Sequence, residues 1–180
     1  ITNNSAQFTW TETGTATQWE IIVLPLGSPI PAPGTPGLLV STNSYVFGPL
    51  NPGTAYTYFV RAKCSNTNYS FYSNGTNFYT KPINDECVGA INVPVNNDLN
   101  CTLVTPGVII GATNSGLPAS TCGGTADDDV WFSFTATSQA HIINFNDIVG
   151  TTTDLSHAVY SGTCGALTLK YCDINNFSYN

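Results

Sequence analysis

The densest run of reactive side chains in this sequence is Asp127-Asp128-Asp129. Three successive carboxylates repel one another unless water or a cation neutralises them. Calcium suits such a run, because it takes about 6–8 oxygen ligands from carboxylates and backbone carbonyls held by loops. Asp154 and Asp173 each stand beside an expected strand and can converge with Asp127 and Asp129 at one end of a sandwich, with Asp85 a further candidate ligand. Calcium is thus the one cofactor the sequence suggests. No EF-hand pattern accompanies the run, and a solvated acidic turn capping a strand accounts for the same residues.

Asp154, Ser156 and His157 are the residue types of a hydrolase triad. A triad needs its nucleophile within reach of its base, and an oxyanion hole beside both. Neighbours such as Ser156 and His157 point to opposite faces of a strand, and the chain has no Gly-x-Ser-x-Gly elbow. Glycosidases need two carboxylates facing each other across a cleft, which a contiguous run does not provide. His141 opens an apolar strand and reads as a rim residue. The chain is therefore expected not to be an enzyme.

Recognition has better candidates. Tyr69 and Tyr72 lie in a polar loop with Phe71, close to Phe78 and Tyr79. Rings beside Asn and Ser suit sugar or protein recognition, and Tyr69 and Tyr72 are the candidate ligand-binding residues. The alternative is that alternate rings pack into the core or cover a bare sheet edge.

Six cysteines stand at 64, 87, 101, 122, 164 and 172, with no Cys-x-x-Cys pair and with His141 and His157 far from zinc-finger spacing. Disulfides fit better than zinc and imply an oxidising compartment. Cys164 and Cys172 flank a short turn and strand and are the first expected pair. Cys87 pairs with Cys101 or Cys122, leaving Cys64 with the remaining one or free.

The elements that must position these residues are strands. Only 8% of the 180 residues are charged, against about 25% in an average domain. Thr, Ser and Asn must therefore cover the surface, as in many secreted β proteins. Four basic against 11 acidic residues give a net charge of −7. That balance repels nucleic acid, whose phosphates need clustered basic residues, and anionic lipid. No apolar run approaches the roughly 18–20 residues of a membrane span.

Phe8 and Trp10 alternate with Thr9 and Thr11, and Trp19, Ile21 and Val23 share one strand face. Pro25 to Gly37 is an irregular loop. Leu38–Val40 and Tyr45–Phe47 are short strands. Pro52-Gly53 makes a turn into Tyr56–Ala62, where the Tyr56 hydroxyl can bond back to the turn as a tyrosine corner. Asn77–Thr80 closes the first domain. Beyond the Lys81-Pro82-Ile83-Asn84 boundary, strands are expected at Val108–Gly111, Asp129–Thr135, Ala140–Phe145, Ala158–Tyr160 and Leu167–Tyr171, with dense turn signals between them.

Trp10, Trp19-Glu20-Ile21-Ile22-Val23 and Leu50-x-Pro52-x-Thr54-x-Tyr56 leading into Tyr58-x-Val60-x-Ala62 together resemble a fibronectin type III domain over about residues 1–81. The usual first strand, with its proline, is missing. After a linker at 82–84 come Asn84-Asp85-x-Cys87, Asp129-Val130-Trp131-Phe132-Ser133-Phe134, Asp154 before Ala158-Val159-Tyr160-Ser161-Gly162, and Cys164-Gly165-Ala166-Leu167-Thr168 ending in Cys172-Asp173. On these motifs residues 85–180 resemble a bacterial pre-peptidase C-terminal-like domain of the kind common in surface and secreted proteins of the Bacteroidetes. That family usually has further strands after the last motif.

The expected fold is all-β: two tandem β-sandwich domains, the first fibronectin type III-like and the second jelly-roll-like, both shortened at their outer ends. The start at Ile1, without a secretion signal, suggests a piece of a longer secreted protein. The resemblance implies a non-catalytic, extracellular or cell-surface module and calcium sites in some relatives. Adhesion, spacing or filament assembly would be its task. Its partners would be other surface proteins, glycans or copies of itself. The alternatives are a substrate-binding accessory region of a secreted protease or glycan-degrading enzyme, or a calcium-dependent carbohydrate-binding module.

Overall fold

The computed structural model describes residues 1–117, 127–151 and 155–173. Its regular structure is β throughout, apart from one 3-10 turn at Cys87–Gly89. The chain divides into two compact units. The first is Ile1–Ile83 together with Val108–Ala112; the second is Asn84–Gly107 together with Thr113–Asn180.

The first unit holds six strands: β1 (Ala6–Thr9), β2 (Trp19–Pro25), β3 (Leu38–Val40), β4 (Ser44–Phe47), β5 (Ala55–Ala62) and β6 (Thr76–Tyr79). They form two antiparallel sheets, β1-β4 and β3-β2-β5-β6. Strand side chains alternate between faces, so Trp19 and Ile21 of β2 share a face with Val60 of β5. These residues join Ala6, Phe8, Val40 and Phe78 in one buried cluster. Phe8, from the small sheet, stacks on Tyr58 at 4.1 Å and meets Phe78 edge-on at 5.1 Å, both from the large sheet. The two sheets thus pack face to face as a sandwich.

The turn before β5 forms the expected corner. The Asn51 N–H donates to the Tyr56 hydroxyl at 3.0 Å. Gly53 sits there at φ +54°, a left-handed conformation that favours glycine, and a Cβ would meet Val108 at 2.6 Å.

β5 departs from simple inside–outside alternation. Phe59 and Arg61 point away from the sandwich core, yet they are only 1% and 4% exposed. The loop between β2 and β3 folds over this outer face. Its Pro33 carbonyl accepts a hydrogen bond from Arg61, and its Thr35 carbonyl accepts one from the Tyr72 hydroxyl at 3.0 Å. Gly75 lies against the Phe59 ring, where a Cβ would come within 2.9 Å.

Upstream of β6, two serines continue the pairing of β5 with their side chains. The Val60 N–H donates to Ser73 Oγ at 3.1 Å and the Ala62 N–H to Ser70 Oγ at 2.9 Å. The backbone N–H groups of the same serines donate to the Val60 and Ala62 carbonyls at 2.8 and 2.9 Å.

The second unit carries β7 (Ile91–Asn92), β8 (Phe132–Ser133), β9 (His157–Thr163) and β10 (Ala166–Asp173). β7 and β8 pair in parallel; β9 and β10 form an antiparallel hairpin with an irregularity between Leu169 and Tyr171. The expected strands at Ala158–Tyr160 and Leu167–Tyr171 lie in that hairpin. Asp129–Thr135 contributes only Phe132–Ser133 to a ladder, and Ala140–Phe145 forms none. Val108–Gly111 is not a strand and belongs to the first unit. Backbone bonds tie the start of the second unit to its Trp131 segment: the Trp131 N–H donates to the Asn84 carbonyl at 2.8 Å, and the Ile91 N–H to the Trp131 carbonyl at 3.1 Å.

The disulfide pattern corrects the expected pairing. Cys87 bonds Cys164, with Cα atoms 5.7 Å apart and a sequence separation of 77. Cys164 sits at the β9–β10 turn while Cys172 lies near the far end of β10, opposite Ala158. An extended strand rises about 3.3 Å per residue, so Cys164 and Cys172 are far beyond the Cα separation a disulfide spans. Cys172 is disulfide-bonded, but not to Cys164. Cys101, expected as a partner of Cys87, is a free thiol, as is Cys64.

Candidate functional site

The acidic residues fall into two kinds. Asp85 is buried, and its carboxylate accepts from the Thr113 N–H at 2.5 Å and the Thr113 hydroxyl at 2.8 Å. Asp129 accepts from the Ser115 N–H at 3.1 Å and from the Ser115 hydroxyl. Asp173 is buried at the end of β10, where the Tyr171 hydroxyl lies 3.4 Å from its carboxylate. These three carboxylates hold neighbouring chain in place.

Asp127 and Asp128 are exposed. Partial burial, reinforced by the negative charges of Asp127 and Asp129, pushes the Asp128 carboxyl above the usual carboxylate range. Asp154 lies outside the described residues. Among the described residues no group of three or more His, Cys, Asp or Glu side chains gathers in a way that could hold a metal.

The histidines also have local partners. His141 Nε2 accepts from the Thr137 and Ser138 N–H groups at 3.1 and 3.2 Å, closing a turn. His157 packs against the rings of Phe145 and Tyr171 at 5.4 and 5.8 Å.

Tyr69 and Tyr72 meet at Arg61, whose guanidinium carbon lies 4.3 Å from one ring centre and 4.5 Å from the other. Arg61 is paired with the buried Glu20. Tyr72 is buried with them. Burial pushes its phenol up; Arg61 opposes that shift and Glu20 reinforces it. Tyr69 is half-buried, and Phe71 between them is 82% exposed. The structure therefore gathers the two candidate tyrosines, but around a structural ion pair.

A different aromatic side chain faces open space. In the second unit a cleft of about 370 Å³ lies between Trp131, the 3-10 turn at Cys87–Gly89 and the β9–β10 turn at Cys164-Gly165. The Cys87–Cys164 bond fixes the two turns to each other. Trp131 is fixed by a relay: its indole N–H donates to Ser115 Oγ at 3.2 Å, and the Ser115 hydroxyl in turn donates to Asp129. Tyr160 of β9 lies beside the indole with ring centres 5.9 Å apart. Glu86, Val88, Ser115, Leu117 and Leu167 complete the lining.

Reading the sequence for function misses Trp131, Ser115 and Glu86. One local signal is present: Asp129 and Trp131 are two residues apart in an extended segment, so their side chains share a face. The approach of Ser115 and of Cys164 is long-range and carries no such signal. Comparison of the chain with protein-family models, with curated proteins and with solved structures returns no match.

Proposed function

We propose that this chain is a non-catalytic extracellular module of a secreted or cell-surface protein that serves adhesion or spacing. The observation that carries this reading is the use made of the ionisable side chains. Asp85 binds the backbone and hydroxyl groups of Thr113, Asp129 binds those of Ser115, and Glu20 binds Arg61. Carboxylates committed in this way are fasteners, whereas acid–base catalysis needs them poised at a substrate. The disulfide supports an oxidising, extracellular setting. The facing sheets β1-β4 and β3-β2-β5-β6, with the Tyr56 corner, support the fibronectin type III likeness of the first unit.

Partners of such a module are surface proteins, glycans or further copies of the chain. The direct test coats beads with the protein and measures their retention on immobilised glycans and matrix proteins, beside assays for peptide, ester and glycoside hydrolysis. Saturable retention without turnover is the expected result. Turnover of any of these substrates, or retention no greater than that of albumin-coated beads, would overturn the adhesive reading.

A calcium-dependent form of the same reading starts from the run Asp127-Asp128-Asp129. Partial burial, then the like charges of Asp127 and Asp129, raise the proton affinity of Asp128, and a bound cation would relieve that repulsion. Bead retention that disappears in chelator and returns with calcium would support it.

A further inference from the structure

We propose that the Trp131 cleft binds a neutral sugar. The proposal deepens the adhesion reading by naming a ligand class, and it rests on that reading only for its extracellular setting.

The indole supplies a flat apolar surface that matches the C–H face of a pyranose ring. Flexibility would cost binding free energy, and here it is removed in advance. The indole N–H is held by Ser115, the Ser115 hydroxyl is held by Asp129, and Tyr160 lies beside the ring. A platform fixed before binding loses little rotamer freedom when the ligand arrives.

The rim has the polarity that a sugar needs. Glu86 lines the cleft and is exposed, and its carboxylate can accept from two vicinal hydroxyls. Val88, 87% exposed, and Leu167 add apolar lining. Apolar walls with one or two directed polar groups are the usual make-up of a small-ligand site.

Charge narrows the class. Among the described residues no Lys or Arg lines the cleft, and the chain as a whole carries −7. A uronic acid or a sulfated sugar would meet Glu86 without any counter-charge. A neutral hexose meets only acceptors and apolar surface. The volume of about 370 Å³ is at the small end for ligand pockets, which limits the occupant to one or two rings.

The test uses the whole chain. Maltotriose, cellotriose, laminaritriose and mannotriose are titrated by calorimetry and by saturation-transfer NMR, with trigalacturonic acid as the anionic control. At least one neutral trisaccharide should bind, and the anionic control should not. Trp131→Ala should weaken binding by roughly tenfold or more. Because that variant can lose structure, Glu86→Gln supplies a second arm at an exposed position. It should weaken binding several-fold with an unchanged amide NMR spectrum.

Failure of all four neutral sugars to bind would overturn the proposal, as would binding untouched by both substitutions. Tighter binding of the anionic control would overturn it too. If the sugars fail while beads coated with the protein still adhere, the cleft assignment falls and the adhesive module stands. If neither sugars nor beads bind, both fall.

Discussion

Arg61 and Glu20 face each other in register across β5 and β2, and two nitrogens of the guanidinium converge on one carboxylate oxygen. Nε lies 2.8 Å and one Nη 2.6 Å from Glu20 Oε2. The pair is buried on the outer face of its sheet, beneath Tyr69, Tyr72 and the loop that carries Pro33 and Thr35.

Removing one partner of this pair should cost more than removing both. Arg61→Ala leaves an unpaired buried carboxylate and should destabilise the first unit by about 3–5 kcal/mol. The double variant Glu20→Leu/Arg61→Met should recover most of that loss. Urea denaturation of the two single variants and the double variant measures the difference, and equal losses in all three would contradict a buried pair.

Tyr56→Phe removes the hydroxyl that accepts from Asn51 N–H. A loss of about 1 kcal/mol is expected, the usual net value of one hydrogen bond. Hydrogen exchange offers a local check, because the Asn51 amide should exchange faster in the variant while amides in the middle of β5 slow or quicken only with global stability.

The sandwich of the first unit is largely legible in its alternation. Phe8 and Trp10, Trp19 and Ile21, and Tyr58 and Val60 each alternate with a period of two, and Pro52-Gly53 announces the corner at Tyr56. The covering of the outer face is not legible, because Pro25–Gly37 has no periodicity to show where it lies. Tyr69 and Tyr72 are recognisable as a pair of rings near a strand, but their association with Arg61 depends on that covering. In the second unit the Cys87–Cys164 bond and the Ser115–Trp131 contact join distant segments, and no local pattern encodes either. The acidic residues are visible as a set, whereas their separate commitments to Thr113 and Ser115 emerge only from the fold.

Cys87→Ser/Cys164→Ser should release the two turns that the bond joins. The second unit should lose about 2–5 kcal/mol, the range for removal of a native disulfide. Hydrogen exchange should quicken in β9 and β10 and remain as it was in β5. Uniform quickening in both units would show that they unfold as one.

Asp128 gives a pH signature. Its carboxyl is raised above the ordinary range by burial and by Asp127 and Asp129. The folded chain therefore holds this proton more tightly than the unfolded chain. Stability from this group is present below the ordinary carboxylate value and is lost as pH rises through the raised one. Asp128→Asn should flatten that part of the stability–pH curve and raise the melting temperature at neutral pH. Melting scans of the two proteins from pH 3 to pH 7 measure the effect, and parallel curves would contradict it.

The serines beside β5 bear on how the molecule meets its neighbours. Ser70 and Ser73 turn both their N–H groups and their hydroxyls toward Val60 and Ala62. A strand arriving from another molecule needs evenly spaced donors and acceptors to dock against. Along this half of the margin it finds groups already turned inward, and beyond it lie only the four residues of β6. The sheet has closed its own seam there, and loss of either serine hydroxyl would leave a β5 amide without its partner.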